Sequence, residues 1–171
     1  MRSLLWILLI GLTQADANPL SLGQLPEGKV PANLKVIKVG PGAVGKVRVT
    51  METVPHPTTG VTEKQRVLEI TGGDASANHY TLVLLNQPLY SGLSISTRFR
   101  IVGGKGVRAA GVIFRMQPNH KDYYLLAVKP EAKEAFWTVF ENGLPAKGFK
   151  YDEDQFVSPK DGWQSIKLQA E

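Results

Sequence analysis

Residues 110–128 read AGVIFRMQPNHKDYYLLAV and restrict the fold more than any other stretch. Two short apolar runs, residues 111–116 and 123–128, flank a polar tip at 117–122. β-Branched and aromatic side chains fill both arms, and Pro118, Asn119 and Asp122 bring turn chemistry to the tip. That pattern is a β-hairpin with a loop of several residues. Side chains alternate along a strand, so Gly111, Ile113 and Arg115 share one face and Val112, Phe114 and Met116 the other. A symmetric tip sets Arg115 opposite Tyr124. Both faces are largely apolar, which predicts a place in the middle of a sheet. Arg115 on such a face calls for a partner or a wet groove, because an unpaired charge is costly to bury.

The two-residue period recurs along the chain. Val47, Val49 and Met51 alternate with Lys46, Arg48, Thr50 and Glu52, and residues 34–39 form a strand before them. Tyr80, Leu82 and Leu84 alternate with His79, Thr81 and Val83. Leu93, Ile95, Thr97, Phe99 and Ile101 alternate with Ser94, Ser96, Arg98 and Arg100, the clearest pattern present. Residues 66–71 and 134–140 read as further strands, the second closed by Asn142-Gly143, a pair that tolerates positive φ in tight hairpins. In the last strand, residues 163–169, Ile166 and Leu168 share a face and Trp163 lies on the other. Proline and glycine mark residues 18–32 as an extended lead-in and 53–63 as a surface loop, while residues 72–78 and 150–156 also read as loops. Short strands punctuated in this way predict an all-β fold, an antiparallel sandwich or jelly roll. A length of 171 residues suits one domain with a substantial core.

The first 17 residues, MRSLLWILLIGLTQADA, stand apart. Arg2, the apolar stretch at 4–12 and the Ala15-Asp16-Ala17 site are the parts of a secretory signal peptide. The apolar run falls short of the roughly 20 residues that span a bilayer. Cleavage after Ala17 leaves a domain over residues 18–171, exported to the periplasm or the extracellular medium. It would have no membrane span, and no cysteine at the junction for a lipid. The chain has no cysteine at all, so the exported core must hold without disulfides. Its net charge of +5 is scattered along the chain, which argues against a nucleic-acid footprint.

Ala110 to Arg115, the Tyr123-Tyr124 pair, Asn142-Gly143 and the closing run Trp163 to Leu168 together resemble the bacterial 3-keto-disaccharide hydrolase-like family, a domain of unknown function. Residues 24–28 and 66–69 match it more loosely. The resemblance implies a concanavalin A-like lectin/glucanase jelly roll. It also implies further strands after the Trp163 strand, so that the chain is expected to be C-terminally incomplete. Asp122 stands where the family often has Asn before its tyrosine pair, and Phe136-Trp137 occupy the next strand where a polar group is usual.

Catalytic chemistry is hard to find in this sequence. Glycoside hydrolysis needs two carboxylates about 5–10 Å apart, and no E-x-D-x-E strand is present. Asp152-Glu153-Asp154 reads as a solvated acidic loop, and Glu131 and Glu134 as surface. His56, His79 and His120 lack the spacing of metal ligands, and no Ser-His-Asp set is evident. No metal site or cofactor is expected, with loop oxygens of Asp152, Asp154 and Asp161 the only candidates for a calcium ion. Sugar binding needs less: aromatic faces to stack on pyranose rings and a few polar groups to fix hydroxyls. Arg115, Tyr124, Trp137 and His79 are the candidate ligand-binding residues, and carbohydrate or glycan the expected partner. A glycoside or 3-keto-glycoside hydrolase is the second expectation, and a structural or interaction domain of an envelope protein the third.

Overall fold

A computed structural model of the chain describes residues 4–6, 9–11, 25–71, 80–85, 93–104, 108–150 and 162–170. Almost all of these residues are strand. The elements are β1 (Leu4–Trp6), β2 (Leu9–Gly11), β3 (Leu34–Val39), β4 (Lys46–Pro55), β5 (Thr62–Thr71) and β6 (Tyr80–Leu85). They continue with β7 (Leu93–Arg100), β8 (Ala110–Phe114), β9 (Tyr123–Lys129), β10 (Glu134–Glu141), β11 (Leu144–Lys150) and β12 (Trp163–Ala170). Among the described residues the one helical turn is the 3-10 turn Pro130–Ala132. Pairing is antiparallel throughout, in the orders β11-β10-β9-β8, β12-β7-β2, β1-β5-β4 and β3-β6. The all-β sandwich expected from the two-residue period is present.

The sheet β11-β10-β9-β8 is covered on both sides. From one face, Ala110, Val112 and Val128 pack on Ile95, Phe99 and Ile166 of β7 and β12. From the other, Tyr123, Leu125, Ala127 and Phe140 pack on Leu82, with Ile37, Val39, Tyr80 and Leu84 around it. The β3–β6 ribbon is buried on its reverse side as well. There Leu34, Val36 and Val83 meet Val47, Val49, Leu68 and Ile70 of β4 and β5. At the far end of that long hairpin, Val54 and Val67 close on Trp163 of β12. A two-stranded ribbon twists more than a wide sheet, so its two ends turn opposite faces toward the same body. Phe99, Leu68, Ile70 and Val49 are the largest fully buried side chains. Together they contribute on the order of 10 kcal/mol before chain entropy is set against it.

Several expectations are corrected. The arms of the organising hairpin pair as Phe114 with Tyr124 and Ile113 with Leu125, one residue away from the symmetric register. Arg115 leaves the strand at φ 53. Strand β8 is the outer strand of its sheet, not a middle one, and its two apolar faces are explained by the layers above and below. Residues 53–63 are mostly hairpin: β4 runs to Pro55, β5 begins at Thr62, and only residues 56–61 turn. Proline is tolerated at that strand end, where a missing N–H disrupts no ladder beyond it. Strand β11 was not apparent in the sequence.

Strands β1 and β2 come from the apolar N-terminal stretch. In this full-length chain β1 pairs with Glu69, Ile70 and Thr71 of β5, and β2 with Ser96, Thr97 and Arg98 of β7. No helix among the described residues is long and apolar enough to cross a membrane. His79, the loop at 72–78, Asp152, Glu153, Asp154 and Asp161 lie outside the described residues.

Candidate functional site

The register of β8 to β11 decides which side chains share a face. Phe114 opposes Tyr124, Tyr124 opposes Val139, and Val139 opposes Lys147, forming one row across the sheet. Leu126, Trp137 and Phe149 form the next row on the same face. Tyr124 and Trp137 are therefore diagonal neighbours on adjacent strands, a spacing of about 7 Å. Phe114 and Tyr124 stack with ring centroids 5.3 Å apart and planes at 23°. Trp137 and Phe149 do the same at 4.8 Å and 24°. The result is an aromatic shelf.

This shelf lies beyond the part of the face that β7 and β12 cover. Ala110, Val112 and Val128 are buried, whereas Phe114, Tyr124, Val139 and Trp137 are half-buried and Phe149 is 49% exposed. Strand β11 is exposed along its whole length. It carries Lys147 on the shelf side, with the ammonium 5.4 Å from the Phe149 ring centroid. The Thr138 hydroxyl donates to the Lys147 carbonyl oxygen at 2.8 Å and fixes the backbone where β11 bulges against β10.

Of the predicted residues, the structure brings Tyr124 and Trp137 together. Arg115 is exposed at the end of β8 and is not the cross-strand partner of Tyr124, because Phe114 takes that place. Two aromatic members, Phe114 and Phe149, were missed. Counting back from the Asn142-Gly143 turn sets Trp137 opposite Gly148, but a register shift between Val139 and Phe140 moves Phe149 there instead. Nothing in the sequence around Ala146 announces that shift.

The tip of the β8–β9 hairpin is tied to the β10–β11 turn. Asp122 accepts from Asn119 Nδ2 and from the Asn142 backbone N–H, both at 2.6 Å. The Gly143 N–H donates to the Lys121 carbonyl at 2.9 Å. These bonds, the Asn119 side chain first and the Asn142 amide second, hold the Asp122 carboxyl below the usual carboxylate range. Lys35 Nζ reaches His120 Nε2 at 3.1 Å and ties β3 to the same tip. On the reverse face, burial and the neighbouring Tyr80 phenol push the Tyr123 hydroxyl pKa well up, so it stays neutral in the core.

Among the described residues no group of three or more His, Asp or Glu is placed to hold a metal ion. What the shelf offers is flat apolar contact with one cation at its rim. No protein-family model matches the chain, and no curated protein or solved structure is similar to it.

Proposed function

We propose that the chain is a carbohydrate-binding module and that the Tyr124–Trp137 shelf is its binding surface. The observation that carries the reading is the pair of stacked aromatic couples, Phe114 with Tyr124 and Trp137 with Phe149, on one half-open sheet face. Aromatic rings in such a row offer the C–H faces of a pyranose chain a flat apolar surface, and their mutual stacking fixes them before a ligand arrives. The leader at residues 1–17 supports an exported protein, periplasmic or extracellular, that meets polysaccharide outside the cytoplasm. A concanavalin A-like jelly roll, the fold implied by the family resemblance, is the finer description of this sandwich that agrees with a glycan ligand.

Calorimetry or affinity electrophoresis against a panel of soluble polysaccharides tests the proposal. Binding by the full chain is expected, with Tyr124→Ala and Trp137→Ala each weakening it about tenfold, the loss of roughly one stacking contact of 1.4 kcal/mol. Folded protein that binds no member of a broad panel, or variants that bind as well as the parent, would overturn the reading.

A further inference from the structure

On the side of the β7–β12 layer turned away from the central sheet, an open cleft of about 410 Å³ lies beside the β4–β5 turn. His56, Thr58 and Thr59 from the turn line it, with Arg98, Trp163 and Ser165 from the layer. Trp163 is only 5% exposed, so its ring is a wall. The Arg98 and Arg100 guanidinium carbons sit 5.5 and 5.2 Å from its ring, within cation–π range. Arg98 Nη1 donates to the Pro55 carbonyl, and Arg100 Nη2 to Glu52 at 3.1 Å, so both cations are held in place. Ser165 stands directly across the ladder from Arg98.

The turn itself is tightly bonded. The His56 N–H donates to the Val61 carbonyl at 2.8 Å and the Gly60 N–H to the His56 carbonyl at 2.9 Å. His56 Nδ1 accepts from the N–H groups of Thr58 and Thr59, both at 3.3 Å. An imidazole that accepts at Nδ1 carries its proton on Nε2 and is a donor there. A planar guanidinium, an imidazole N–H and three hydroxyls thus border one space, and none of the residues lining it is acidic.

We propose that this cleft is an oxyanion site, taking a sulfate, phosphate or carboxylate group. A guanidinium already oriented by Trp163 and Pro55 loses little freedom when it meets such a group, and its fork of donors matches two oxygens at once. The net charge of +5 favours the approach of an anion. The site is separate from the aromatic shelf, and neither depends on the other.

The test is a nitrogen-15 NMR titration of the full chain with sodium sulfate and with inorganic phosphate, against sodium chloride at matched ionic strength. Saturable shifts are expected at the Trp163 indole N–H and at the Thr58, Thr59 and Gly60 amides with the oxyanions and not with chloride. Ser165→Asp, at an exposed position, places a carboxylate across from Arg98 and should weaken binding about tenfold or more. His56→Gln gives an independent reading of the same loss should the aspartate disturb the fold. A sulfated or uronate oligosaccharide beside its neutral counterpart separates the sources. Matching shifts with the charged sugar assign a glycan-borne anion, and shifts with the inorganic ions alone assign a free one. No saturable response at the cleft, or unchanged affinity in both variants, would overturn the proposal.

Discussion

Phe114 lies over Tyr124 across the β8–β9 ladder, and that contact sets the identity of the shelf. A one-residue slip in an antiparallel pair sends every side chain to the opposite face. In the observed register the aromatic couple and Trp137 look the same way, while Arg115 turns out of the sheet with a left-handed backbone. Phe114→Ala should therefore cost about 2 kcal/mol, from the lost stack and partial burial, read as a lower denaturation midpoint. Arg115→Gly should change stability by less than about 1 kcal/mol, because glycine adopts that backbone conformation freely. A larger cost for Arg115→Gly than for Phe114→Ala would contradict the register.

Gly111 is the point of closest approach between the two arms. A Cβ there would sit 2.0 Å from the Leu126 carbonyl oxygen and 2.6 Å from the Ala127 Cα. Those are backbone atoms in the middle of the sheet and cannot move aside without breaking the ladder. Gly111→Ala is expected to destabilise by about 3 kcal/mol or more, the upper end of overpacking costs. Thermal unfolding of the variant checks this; a melting temperature within a degree or two of the parent would mean the arms are further apart.

The sequence is readable where one strand face is dry and the other wet. Leu93 to Arg100 alternates and is a strand, with Ile95, Thr97 and Phe99 buried as the pattern requires. Asn142 and Gly143 both take positive φ, as their chemistry suggests. Ile166 is buried with the β8–β9 layer, and Trp163 points the other way onto Val54 and Val67. Strand β11 was illegible for the complementary reason: both its faces are exposed, so LPAKGFK carries no alternation to detect. The hairpin register failed because its tip is asymmetric, with Arg115 and His120 both left-handed, which the apolar arms do not reveal. The cleft joins residues 56–60, 98 and 163–165, three segments that only the packing of layers brings together.

Asp122 links acid stability to the hairpin tip. Its carboxylate accepts from Asn119 and Asn142, and its folded pKa is lowered by those bonds. A group with a depressed folded pKa stabilises above its unfolded value, near 3.9, and loses that contribution as pH falls through the lower folded value. The melting-temperature gap between the parent and Asp122→Ala should stay flat from about pH 7 to about pH 5 and close below roughly pH 4. A gap that widens on acidification would show that the protonated acid makes the stabilising contacts instead.

Removal of the leader should change two sheet edges and little else. In the full-length chain, β1 lies along Glu69, Ile70 and Thr71, and β2 along Ser96, Thr97 and Arg98. The opposite sides of the same strands are paired over longer stretches, β5 with β4 and β7 with β12, so both strands persist when their outer neighbours go. A chain beginning at Asn18 should show faster hydrogen exchange at those amides of the six residues that point away from β4 and β12. The inward amides of the same strands should keep their protection, since exchange there requires opening of the larger ladders. Uniform exchange in both forms would mean that β1 and β2 protect nothing, and loss of protection throughout β5 and β7 would make the N-terminal residues part of the folded core.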